Sequence, residues 1–99
     1  MENKIVELID SILNISNDIQ NTIIKNEIDN IYIMEFVSSL AKLSKEAHES
    51  QYSDLDIDEL NEKLNSLLNA LEDKDMILFS DNLEYELKPL LEYWKEVIQ

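Results

Sequence analysis

Glycine is absent from all 99 residues, and proline occurs once, at position 89. Without a residue that lacks Cβ, the chain cannot build the tight Gly-rich loops of Walker or dinucleotide-binding type that cradle phosphates. Little punctuation remains, so the spacing of apolar side chains has to set the element boundaries. That spacing is helical from end to end. Apolar residues make up 44% of the chain, enough for one small core, and the length points to a single domain over residues 1–99. The expected fold class is all-α, as a four-helix antiparallel bundle running up-down-up-down.

The first stripe is Ile5, Leu8, Ile9, Ile12, Ser16, Ile19 and Ile23, which predicts a helix over about 3–25. Val6, Leu13 and Ile24 widen its apolar arc. Ser16, within Ile15-Ser16-Asn17-Asp18, marks a weak point where a second helix could be capped. A polar turn at 26–30 follows, with Asp29 or Asn30 as a cap. The second helix spans about 31–49 on a core face of Ile33, Phe36, Val37, Leu40, Leu43 and Ala47, with Tyr32 at its edge. The polar stretch from His48 to Ser53 reads as loop.

Asp56 and Glu59 have the spacing of a capping box, and Asp58 and Glu59 suit the positive end of a helix dipole. Ile57, Leu60, Leu64, Leu67, Leu68 and Leu71 then carry a third helix over about 57–72. Asp75 caps a fourth over about 76–97, whose face holds Met76, Phe79, Leu83, Leu87, Leu90, Leu91, Trp94, Val97 and Ile98. The connection at 73–75 is short enough to force these two helices into an antiparallel hairpin. Pro89 lies inside the fourth helix, where it removes one N–H and strands the Tyr85 carbonyl, so a kink is expected there.

Charge narrows the partners. Against 22 acidic residues stand eight basic ones, all lysine, for a net charge of −14. Nucleic acids and anionic lipids are polyanions that require clustered cations, so neither is an expected partner. A protein partner, neutral or basic, is. The N-terminus Met1-Glu2-Asn3-Lys4 has no basic leader, Glu7 and Asp10 interrupt the apolar residues behind it, and no run of 18 apolar residues exists. A cytoplasmic location without membrane insertion is the expectation. The absence of cysteine removes disulfides, thiolate metal sites and a cysteine nucleophile.

Three constellations resemble chemistry and fail on their details. Asp54-Leu55-Asp56-Ile57-Asp58 opens like an EF-hand calcium loop, but the sixth position is Glu59 where glycine is needed. The twelfth is Asn65 where a bidentate Glu is needed. His48 is the sole histidine, and a lone imidazole at a helix end reads as a solvated residue or dipole partner. The Glu-x-x-His of di-iron bundles is missing, because Lys45 precedes His48 by three. Among the carboxylates, Glu86 stands beside Leu83 and Leu90 and is expected to be partly buried in a structural role. No catalytic residue, cofactor or metal site is expected. The fourth helix instead carries Leu78, Tyr85 and Tyr93 on its flank, a candidate partner interface, since tyrosine buries a large area while keeping a polar handle.

The string Ala70-Leu71-Glu72-Asp73-Lys74-Asp75, with Asp81-Asn82-Leu83-Glu84-Tyr85-Glu86-Leu87-Lys88-Pro89-Leu90-Leu91-Glu92-Tyr93-Trp94, resembles a family of small acidic all-helical proteins. These come from low-GC Gram-positive bacteria and share the C-terminal pattern AL-x-x-x-D…D-x-L-E-Y-E-L-x-P-L-L-E-x-W. The resemblance covers about residues 57–95 and implies no activity, so it assigns no catalytic residue. In size and acidity the chain also looks like flagellar and type III export chaperones, which are small helical bundles that bind a partner's terminal segment. The resulting expectation is a non-enzymatic protein-binding bundle, adaptor or export-chaperone-like, with a homodimer as the simplest partnership. The alternative is an acidic mimic of nucleic acid that inhibits a DNA-binding protein, using the acids between Glu46 and Glu62.

Overall fold

The computed structural model describes residues 4–25, 30–50, 52 and 55–98. Its fold is all-α, and no strand occurs among the described residues. Helix α1 covers Lys4–Ile24, α2 Asn30–His48, α3 Ile57–Glu72 and α4 Met76–Asn82. A π-helical turn, Leu83–Leu87, leads from α4 without a break into α5, Lys88–Ile98. The last three form one helical run, so the predicted four segments and their limits are reproduced to within a residue or two. None of these helices is long and apolar enough to cross a membrane.

The chain divides into two compact units, Met1–Ser50 and Gln51–Gln99. In the first, α1 packs on α2. Lys4, at the start of α1, pairs with Glu46 near the end of α2 at 3.5 Å, which sets the two helices antiparallel. The buried stripe of α1 is Ile5, Ile9, Ile12, Ser16 and Ile19; that of α2 is Phe36, Leu40, Leu43 and Ala47. Steps of three and four hold each stripe on one face. Ser16 does not break α1. It is fully buried, and its Oγ donates to the Ile12 carbonyl one turn back at 2.8 Å, so the hydroxyl is satisfied inside the helix. Ile24, by contrast, does not widen the core; it is exposed at the helix end. The Asp29 cap lies outside the described residues.

The second unit is a hairpin of α3 against α4 and the π turn. Asp56 caps α3, its Oδ1 accepting from the Glu59 N–H at 3.0 Å. Leu55 and Leu60 hold the N′ and N4 positions of a hydrophobic staple, and both are buried. The end of α3 is a Schellman turn: the Lys74 N–H donates to the Leu71 carbonyl and the Asp75 N–H to that of Ala70. Lys74 takes the left-handed conformation such a turn needs, with φ 57°. Asp75 then caps α4 through its Oδ1 and the Leu78 N–H at 3.0 Å. Two expectations for α3 change. Leu68 is exposed, while Ala70 is fully buried, because close approach next to a three-residue turn favours the smallest side chain.

Candidate protein-binding groove

The groove begins with the register of the fourth helical run. Phe79, Leu83, Leu87 and Leu91 are all fully buried, yet they follow one another at three successive steps of four. On a 3.6-residue turn each such step overshoots by about 40°, so three would carry the stripe about 120° round the helix. The π turn absorbs this drift. The Lys88 N–H donates to the Leu83 carbonyl, five residues back, fitting one residue more into the turn. Trp94 and Leu90 then return to the buried face of α5. Upstream of Pro89, where the sequence predicts a kink, the helix carries this π turn, formed where a regular turn would drive the proline ring into the Tyr85 carbonyl.

The same adjustment arranges the outer flank. Tyr85, Pro89 and Tyr93 also succeed one another at steps of four. Together with the edge of Leu90 they form the apolar side of a groove of about 300 Å³ that is open to solvent. Both tyrosines are well exposed, 74% for Tyr85 and 56% for Tyr93, so their rings stand out as walls of the groove. Leu78, the third residue of the predicted interface, is exposed on α4 but does not line it.

The opposite side comes from α3 and is charged. Glu59 and Lys63 lie there, with Glu86 from the π turn. Lys63 Nζ donates to Glu86 Oε2 at 2.6 Å across the hairpin. That hydrogen bond is the main reason the Lys63 ammonium titrates above the ordinary lysine value. Desolvation pulls the other way, and the negative charges of Glu86, Glu59 and Glu62 add to the rise. Glu86, expected to be partly buried, has half of its side chain exposed and half covered. The extra residue in its turn swings it away from Leu83 towards the groove rim, where Lys63 holds it. A second pair, Lys88 with Glu84 at 3.1 Å, braces the π turn from outside.

The other sequence candidates lie elsewhere. His48 ends α2 and is exposed. Asp54 lies outside the described residues, and positions 57 to 65 of the supposed calcium loop are helical. No group of three or more His, Cys, Asp or Glu side chains suited to a metal ion occurs among the described residues. Sequence reasoning found Tyr85 and Tyr93 but missed Glu59, Lys63 and Pro89 as their neighbours. The repeated step of four at 85, 89 and 93 was the available signal.

Residues 1–97 match the family model described as Domain of unknown function (DUF8042). The chain belongs to that family. The DUF8042 match spans both helical hairpins and every residue of the groove. No curated protein and no solved structure is significantly similar to the chain.

Proposed function

We propose that this DUF8042 member is a non-enzymatic protein-binding module, adaptor or export chaperone in type, that works in the cytoplasm of a low-GC Gram-positive bacterium. It holds an amphipathic helix of its partner on the rim of the groove beside α5, with its C-terminal Tyr-Glu-Leu-x-Pro-Leu-Leu segment as the shared signature. The observation that carries this reading is the pair of exposed tyrosines, Tyr85 and Tyr93, raised two turns apart over Pro89. Aromatic side chains left out of a core at regular spacing are what helix-in-groove recognition uses as walls. A π turn in the middle of the groove agrees with it, since such turns gather at functional sites.

The test is the double substitution Tyr85→Lys with Tyr93→Lys. Light scattering at matched concentration reads self-association, and cross-linking in the native host followed by mass spectrometry reads partners. The expected result is a shift from dimer to monomer, or loss of a partner that the wild-type chain cross-links, with helicity intact by circular dichroism. Unchanged mass together with an unchanged set of cross-linked partners overturns the reading.

A further inference from the structure

We propose that the groove accepts one cationic side chain of the partner helix, best supplied by arginine, and that Lys63 occupies the place of that cation in the unbound chain. This rests on the protein-binding reading above. Size is the first argument. A groove of about 300 Å³ has room for one long side chain, not for a helical cylinder ~10–12 Å across. A bound helix therefore rides on the rim and inserts a single residue.

Charge selects that residue. Two carboxylates, Glu59 and Glu86, line the groove against one ammonium, that of Lys63, so the charged wall keeps a local excess of one negative charge. Covering it with an apolar side chain would strip water from carboxylates and return nothing. A guanidinium returns paired hydrogen bonds, and its flat face stacks on tyrosine, here Tyr85 or Tyr93 on the opposite wall. The long-range field of a chain with net charge −14 draws in the same kind of partner and repels acidic ones.

Lys63 is already a solution to the problem the partner would solve. Its stem lies along the groove with its side chain 21% exposed, and its ammonium takes one oxygen of Glu86. It meets the carboxylates with a point charge on a flexible chain, which a bidentate guanidinium outcompetes. Lys63 is thus a built-in competitor: it lowers the cost of an empty groove and weakens the first contact with any cation.

The probe is a displayed library of 18-residue amphipathic helices, randomised along one face and selected on the full 99-residue chain. Winning peptides are titrated against the wild type and against Lys63→Gln, Glu86→Gln and Tyr85→Ala with Tyr93→Ala. Each variant is first checked for unchanged helicity and melting. The expected result is an arginine fixed at one position of the winners, whose replacement by glutamine weakens binding by about tenfold or more, the scale of one charge-assisted pair. Lys63→Gln should tighten the same peptide several-fold, while Glu86→Gln and the double tyrosine variant weaken it. Winners with wholly apolar faces, sensitive to the tyrosines and indifferent to Lys63, overturn this inference and leave the helix-binding reading standing. Winners indifferent to the tyrosines, or no winners, overturn both.

Discussion

The Asp75 N–H donates to the Ala70 carbonyl at 2.9 Å, and the bond closes over Lys74, which sits in the left-handed region at φ 57°. A lysine there bears a clash between its Cβ and the following carbonyl that glycine would avoid, a cost of roughly 1–2 kcal/mol. Lys74→Gly should therefore raise the melting temperature, by the equivalent of about 0.5–1 kcal/mol once the greater freedom of unfolded glycine is subtracted. Lys74→Ala, which removes the same charge and keeps Cβ, should not. Thermal melts of the three proteins at one salt concentration decide the matter.

Leu87 and Trp94 are fully buried on the inner face of the fourth run. Leu87→Ala should cost about 2–5 kcal/mol and Trp94→Ala about 3–5 kcal/mol. Urea unfolding followed by circular dichroism reads both. A midpoint unmoved by Leu87→Ala would contradict the assigned face.

Lys63 and Glu86 give the fold a pH signature on the alkaline side. The Lys63 pKa is raised in the folded state, chiefly by its hydrogen bond to Glu86. The stability gained from the lysine charge is then complete below the unfolded value of ~10.4 and disappears as pH rises through the higher folded value. The stability difference between wild type and Lys63→Gln should stay level from pH 7 to about 9 and shrink beyond about 10.5. A difference that vanishes already at neutral pH would show the pair to be thermodynamically idle.

The π turn holds one residue more than an α-turn, so it should tolerate losing one. With Pro89→Ala as background, to relieve the ring clash, removal of exposed Glu84 should convert the turn to α and keep Leu87, Leu91 and Trp94 inward. The loss should stay near ~0.3–0.5 kcal/mol, the worth of the surface pair with Lys88. Removal of exposed Glu92 from the regular helix in that background should rotate Trp94 out of the core and collapse the melt. Equal tolerance at both positions would contradict the register argument.

Calcium should leave the protein unchanged. Asp56 spends its Oδ1 on the Glu59 N–H, and residues from Ile57 onward are helical where a calcium loop would have to curl. Melts in millimolar calcium and in magnesium at equal ionic strength should coincide.

Much of the fold was legible because its rules are local. Asp56 and Asp75 announce their caps through residue type and distance from the next apolar side chain, and the stripes of α1 and α2 follow a single period. The pairing of Lys63 with Glu86 was not legible, since it depends on how α3 is placed against a turn 23 residues further on. Ala70 escaped notice because a small side chain carries little periodic signal, although the hairpin needs its smallness. The π turn lay between these cases. Four buried residues at constant steps of four declare a helix that is not purely α, but the pattern reads as an ordinary stripe until the accumulated angle is added up.

A helix with one residue more in one of its turns also has a tolerance built into it. An extra residue in a regular helix would ordinarily displace every contact downstream, but between Leu83 and Leu87 the π turn accommodates it. Within this turn Tyr85 and Glu86 are exposed, while Trp94 downstream is buried. Length differences of a single residue among members of the family should therefore fall in this stretch more readily than in the capped turn at 73–75. A chain lacking the bulge would keep the core and lose the register that sets Tyr85, Pro89 and Tyr93 beside Lys63.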